Sequence, residues 1–116
     1  GVNQLTRELA VEWAADGIRV NAVQPAQIAT PAWEAARENP EMAAIYDQVI
    51  AGIPLRRLLD PEELVGPILF FASPAASFVT GTVLPVDGGN LALNPAGTVP
   101  GPTTASDPVD TRRTPS

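Results

Sequence analysis

Two stretches decide how this chain folds: Gly17-Ile18-Arg19-Val20-Asn21-Ala22-Val23-Gln24-Pro25, and the later Phe78-Val79-Thr80-Gly81-Thr82-Val83-Leu84-Pro85-Val86. Both are rich in β-branched residues and end at turn or breaker residues, which is how a short buried strand reads. The first predicts a strand over Ile18 to Val23, ended by Pro25. The second predicts a last strand over Thr82 to Val86, with Phe78 to Thr80 leading into a turn at Gly81. Pro85 has no N–H to give to a ladder, so it points to an edge position. Asp87-Gly88-Gly89 then reads as a turn.

Around these strands the sequence is helical. Val2, Leu5, Leu9 and Trp13 fall near helical spacing on one face, with Arg7, Glu8 and Glu12 largely off it, which predicts a helix over Val2 to Ala15 with Gly17 as its left-handed cap. Ala32 to Ala51 reads as helical, with a break at Asn39-Pro40 because the residue before a proline avoids the helical region. Asp60 is a good N-cap, Pro61 suits the first helical position, and Glu62 and Glu63 favour the positive end of the dipole. The helix it starts, through Leu64, Val65, Pro67, Ile68, Leu69 and Phe71, is apolar almost all round and is expected to be largely buried. Helix, strand, helices, helix and strand in that order make an α/β pattern with a parallel pair joined by a right-handed crossover. Two strands form a poor sheet alone. Residues 1–93 are therefore expected to be part of a larger sheet, and the chain is expected to begin inside an element. From Asn94 to Ser116 there is no aromatic residue, and Pro95, Pro100, Pro102, Pro108 and Pro115 lie among Thr, Ser and Gly. That composition predicts a disordered tail.

Composition narrows the chemistry. The 116 residues include 13 acidic and 7 basic ones, a formal charge of −6, and every basic residue is Arg. A chain this acidic is not expected to bind nucleic acid, which calls for a basic face. No apolar run approaches a membrane span, so no membrane association is expected. With no Cys and no His, neither a disulfide frame nor a nitrogen or sulfur site for zinc can be built, and no metal is expected. With no Lys either, the side chains most easily tuned as acid, base or nucleophile near neutral pH are missing, and no catalytic residue is assigned within the chain.

Four blocks then occur in order. Gly1-Val2-Asn3-Gln4-Leu5-Thr6-Arg7 runs through Glu12-Trp13-Ala14 to Gly17-Ile18-Arg19-Val20-Asn21-Ala22-Val23, followed by Pro25-Ala26-Gln27-Ile28-Ala29-Thr30-Pro31. Next come Ile53-Pro54-Leu55-Arg56-Arg57 with Asp60-Pro61-Glu62-Glu63-Leu64, and finally Phe78-Val79-Thr80-Gly81 with Val86-Asp87-Gly88-Gly89. Together they resemble the C-terminal portion of the short-chain dehydrogenases/reductases. The resemblance implies an α/β fold, the last two strands and their helices of a doubly wound, Rossmann-type parallel sheet. It implies NAD or NADP as cofactor and hydride transfer between nicotinamide and a small-molecule alcohol or carbonyl. It also implies that the catalytic Ser, Tyr and Lys and the Gly-rich cofactor loop precede Gly1, so the chain alone is expected to be inactive and marginally stable. The non-enzymatic alternative is a truncated relic, or a subunit that pairs with an intact relative. A cytoplasmic homotetramer follows from the family, with the 2–15 helix and the 82–86 strand as subunit contacts; an open strand edge gives such pairing a motive.

The resemblance assigns sites residue by residue. Pro25 and Ala26 aim the nicotinamide-side loop, Ile28 offers backbone groups to the carboxamide, and Thr30 offers its hydroxyl; a carboxamide needs one donor and one acceptor. Thr30 also reads as an N-cap before Pro31, and the two roles are compatible. Trp33 or Tyr46 could line the substrate pocket, against a plain packing role. Asn21 resembles a structural Asn of the family. Ala26 and Leu59 stand where the family usually has Gly; Ala26 fits if its φ is negative. Glu62 and Glu63 are explained by their helical turn, Asp87 by its turn, and Arg56 and Arg57 by solvation or ion pairing.

Overall fold

The computed structural model describes residues 1–94. The tail predicted over 94–116 lies, from residue 95 onward, outside the described residues. The chain divides into two compact units: Gly1–Ile28 with Leu59–Asp87, and Ala29–Leu58 with the residues from Gly88.

In the first unit, α1 spans Val2–Trp13, and a 3-10 turn over Ala14–Asp16 tightens its end. Gly17 follows at φ 73 and donates to the Ala14 carbonyl, as a left-handed cap does. The buried positions of α1 lie off its apolar stripe. Val2 is 70% exposed and Leu5 and Trp13 are also open, whereas Thr6 and Ala10, one turn apart, are buried. Small side chains take the seat because the backbones come close: a Cβ on Gly81 would lie 3.5 Å from the Ala10 methyl. The Thr6 hydroxyl is satisfied within the helix, donating to the Val2 carbonyl at 2.8 Å.

Two strands follow, β1 over Ala22–Pro25 and β2 over Val83–Val86. They pair in parallel, from Ala22 opposite Val83 to Pro25 opposite Val86, so the α/β class and the parallel pair expected from the sequence are present. Both strands are displaced from their expected limits. β1 begins later than Ile18 because Val20 and Asn21 bond to the turn around Gly81 instead of to a ladder. Val20 N–H donates to the Thr80 hydroxyl at 3.0 Å, and Gly81 N–H donates to the Val20 carbonyl at 2.8 Å. β2 starts at Val83 rather than Thr82, and Phe78 to Thr80 are not strand. Ala22 N–H donates to the Thr82 carbonyl at 2.9 Å. Alternation along a parallel ladder then turns the nitrogens of both Pro25 and Pro85 to the open sides. Pro25 therefore sits inside β1 rather than ending it before that residue, and neither proline removes a bond from the shared ladder.

Asp60 opens the next helix as expected, but through a 3-10 turn over Pro61–Leu64 before α4 takes over at Val65–Ala72. Its carboxylate accepts from Glu62 N–H at 3.0 Å, and the Glu63 carboxylate accepts from Asp60 N–H at 3.0 Å. That reciprocal cap accounts for the Glu63 side chain, while Glu62 takes part through its backbone N–H. The expectation of a buried α4 fails: Val65, Ile68, Leu69 and Phe70 are exposed, Leu69 at 61%, and Phe78 is fully exposed. A two-stranded sheet offers one helix-wide seat per face, too little to cover a helix apolar all round. A 3-10 turn over Pro74–Ala76 follows, and Ala76 is fully buried.

In the second unit α2 spans Pro31–Glu38 and α3 spans Ala43–Ala51, with the break at Asn39-Pro40 as predicted. Asn39 holds that turn by accepting from Glu41 N–H on its side-chain oxygen and from Met42 N–H on its carbonyl, each at 2.9 Å. After α3, Ile53 is 2% exposed and Leu58 is buried. Gly88 (φ 62) and Gly89 (φ 96) lie directly against Ile53 and Pro54. Leu55 N–H donates to the Gly88 carbonyl at 3.0 Å, and the Asn90 amide donates to the Gly52 carbonyl at 2.7 Å. A short helix, α5 over Asn90–Leu93, continues from the glycine pair; the sequence had suggested only a turn there. Among the described residues no helix is long and apolar enough to cross a membrane.

Candidate cofactor-side loop and substrate cover

The loop leaving β1 is built from the backbone upward. Gln24, the last side chain before Pro25, accepts from the Asn3 amide of α1 at 3.2 Å, which ties the strand end to the helix. Pro25 then sets its own φ. Ala26 has negative φ, since Arg56 is the one described non-glycine residue with positive φ. Alanine is therefore unstrained at that position, and its departure from the family's usual glycine costs the loop nothing. The Gln27 carbonyl accepts from Leu59 N–H at 2.9 Å, and Ile28 forms an isolated parallel bridge with Leu59. In such a bridge, bonds run to the residues flanking Ile28, so its own N–H and C=O face the other way. Among the described residues neither group of Ile28 has a hydrogen-bond partner. The loop thus offers one donor and one acceptor from one residue, as recognition of a carboxamide requires.

Thr30 belongs to the second unit. It is extended (φ −122) and caps α2 with its side-chain oxygen, which accepts from Trp33 N–H at 3.3 Å. Its hydroxyl hydrogen is not used in that bond, so capping and donation to a ligand are compatible. The Trp33 and Tyr46 rings come together across α2 and α3, with centroids 6.1 Å apart and planes tilted by 59°. Their mutual packing accounts for both, and each keeps part of its ring accessible. Pro25, Ala26 and Ile28 lie in the first unit, whereas Thr30, Trp33 and Tyr46 lie in the second.

Two positioning residues carry more than the sequence suggested. Asn21 spans the two strands before they pair: its amide donates to the Val79 carbonyl at 2.9 Å, and its side-chain oxygen accepts from Thr82 N–H at 3.0 Å. Leu59, noted in the sequence only as a departure from glycine, is the anchor of Ile28. An isolated bridge leaves no periodicity to detect, so nothing in the residue types could have found it.

The family model described as enoyl-(acyl carrier protein) reductase matches residues 1–90. The chain belongs to the short-chain dehydrogenase/reductase family. It is 48% identical over 88 residues to a galactitol 2-dehydrogenase (L-tagatose-forming) of Cereibacter sphaeroides, covering 76% of this chain and 34% of that relative. A tropinone reductase homolog of Arabidopsis thaliana is 50% identical over 88 residues, covering 76% of this chain and 32% of its own length. This family member thus spans about a third of the curated relatives it matches. Among solved structures, a protein of Agrobacterium tumefaciens described as a 2-deoxy-D-gluconate 3-dehydrogenase, with bound NADP, superposes at a TM-score of 0.68. It is 42% identical and the match covers 79% of this chain and 36% of that one. A Beutenbergia cavernae protein described as an NAD(P)-dependent gluconate 5-dehydrogenase, also with bound NADP, gives 0.66 at 49% identity over 78% and 35%.

Proposed function

We propose that these residues are the C-terminal part of an NAD(P)-dependent oxidoreductase that transfers hydride between nicotinamide and an alcohol or carbonyl carbon. In this reading β1 and β2 are the last two strands of a doubly wound parallel sheet, and residues 1–93 are its C-terminal segment. The nicotinamide, when bound, accepts or donates the hydride. The chain's part is to hold it. Ile28 donates its N–H to the carboxamide oxygen and accepts from the carboxamide nitrogen on its carbonyl. The Thr30 hydroxyl gives the same group a further donor. Pro25 and Ala26 set the direction of that loop, and α2 and α3 cover the substrate with Trp33 and Tyr46 as its apolar wall. The observation that carries the reading is Ile28: its two backbone groups are unpartnered among the described residues, while the Gln27 carbonyl beside it is tied to Leu59.

The acid–base group is supplied from outside this sequence. Deprotonating an alcohol as its hydride leaves takes a tuned base. The chain has no Lys to depress a Tyr pKa, and Ile50 stands where a Lys four residues after Tyr46 would be needed. The NADP named for two structural relatives supports an NAD(P) cofactor here. The sugar-alcohol and sugar-acid names among the relatives support a small-molecule alcohol or carbonyl substrate. A cytoplasmic homotetramer, joined through the exposed side of α1 and the open side of β2, completes the proposal.

The test is to read the coding sequence upstream of the Gly1 codon and to assay both products. An open frame encoding Tyr-x-x-x-Lys just before Gly1, with a longer protein that turns over an alcohol with NAD or NADP and a 116-residue chain that does not, is the expected result. Turnover by the 116-residue chain alone would refute it. The exposed Val65, Ile68, Leu69 and Phe70 favour one second reading, a non-catalytic subunit or relic that docks on an intact relative. A stop codon upstream, with co-purification of that relative, would select it.

A further inference from the structure

A cleft of about 280 Å³ lies in the first unit, lined by Ala14, Gly17, Ile18, Arg19, Pro74, Ser77 and Thr80. These residues precede β1 or β2, so the cleft sits at the amino ends of the strands. The loop over residues 25–30 leaves the carboxyl end of β1, where open α/β sheets bind their main ligand. The cleft is thus separate from the nicotinamide-side loop and does not depend on that reading.

We propose that this cleft binds a small carboxylate with a short apolar group. Arg19 is the recognising residue. Its guanidinium is part-buried and gives two long hydrogen bonds, to the Val79 carbonyl at 3.3 Å and the Ser73 carbonyl at 3.4 Å. A guanidinium has more donors than those two carbonyls use, in a fork that matches a carboxylate. Among the described residues no carboxylate neutralises it. The Thr80 oxygen accepts from Val20 N–H, which leaves its hydrogen to donate, and the Ser77 hydroxyl is exposed beside it. Ala14, Ile18 and Pro74 supply an apolar wall, which suits an acid with a small alkyl group better than a fully hydrated anion such as phosphate.

One effect opposes an anion here. The cleft adjoins the end of α1, where helix carbonyls concentrate negative potential. Two of those carbonyls are already occupied, Ala14 by Gly17 N–H at 3.0 Å and Trp13 by Ile18 N–H at 3.3 Å, and Arg19 lines the same cleft as Ala14. Binding is accordingly weak, with a Kd on the order of 1–10 mM.

The experiment is an NMR titration of the full 116-residue chain with isobutyrate at low salt, following the amides of Gly17, Arg19, Ser77 and Thr80. The expected result is saturable shifts at these four positions, with the neutral isostere isobutyramide at least tenfold weaker. Ser77→Ala should weaken isobutyrate a few-fold while leaving the amide positions of β1 and β2 unmoved. Arg19→Lys keeps the charge but loses the fork and should weaken it more. Linear, non-saturating shifts, equal binding of isobutyramide, or tighter binding of inorganic phosphate would each overturn the proposal.

Discussion

Gly88→Ala is expected to destabilise the chain by about 2–4 kcal/mol, from two separable causes. Gly88 sits at φ 62, and placing an L side chain in that left-handed region costs about 1–2 kcal/mol. The new Cβ would also lie 2.7 Å from Ile53 Cγ2 and 3.4 Å from Leu55 Cβ. Ile53 is 2% exposed, so it has nowhere to retreat, and overpacking of that kind costs about 1–3 kcal/mol. The lower unfolded-state entropy of alanine returns about 0.4–1 kcal/mol. Urea unfolding followed by circular dichroism, in sulfate to raise the baseline stability, measures the change. Ile53→Ala removes the clashing methyl, so in that background Gly88→Ala should cost only about 1 kcal/mol, the backbone share. Strict additivity of the two substitutions, within about 0.5 kcal/mol, would refute the claim that the contact with Ile53 holds the glycine in place.

Asn21→Ala leaves the Thr82 N–H without its partner and the Val79 carbonyl with only the longer bond from Arg19, and should cost about 1–3 kcal/mol in the same unfolding assay. Asn21→Asp keeps the acceptor but faces the Val79 carbonyl with a second oxygen, so it should recover less than half of that loss. Arg56→Gly should stabilise by about 0.5–1 kcal/mol, because Arg56 is held at φ 61 and glycine adopts that conformation freely; a loss of stability would show that the arginine side chain does more than fill solvent. Asp60→Ala removes an N-cap and should cost about 1 kcal/mol. Amide exchange should rise in the Pro61–Leu64 turn first and reach α4 afterwards.

The alternation of helix and β-branched strand, the Asn39-Pro40 break and the Asp60 cap were legible because each is a local effect: a propensity, a fixed φ, a short side chain reaching a nearby N–H. The sheet lead-in was not. Ile18 and Val20 have strand-forming side chains, but Ile18 N–H donates back to the Trp13 carbonyl and Val20 bonds to the turn residues Thr80 and Gly81, and no local rule reports which backbone will come alongside. The same limit applied to α1, where the apolar stripe is plain in the sequence but the packed face is Thr6 and Ala10. Small residues become a contact only when a glycine such as Gly81 lets two backbones approach. At the candidate site, Thr30 was legible as a cap through Pro31, and the family blocks pointed to Ile28. Leu59 was not legible, because its contribution is a backbone N–H that any residue except proline could give.

The bridge between Ile28 and Leu59 also bears on how such a chain diversifies. The polypeptide departs at Ile28 and comes back at its side at Leu59, so the intervening residues form a closed excursion from the strand-bearing unit. Doubling the length of a flexible excursion of this kind costs only about 0.6 kcal/mol of closure entropy. The 29–58 stretch can therefore be exchanged as a cassette between homologous chains while β1, β2 and Asn21 stay as they are. The seam that limits the exchange is the contact of Ile53 and Pro54 with Gly88 and Gly89: a transplanted segment must bring its own Ile-Pro pair, or its recipient must change its glycines to match.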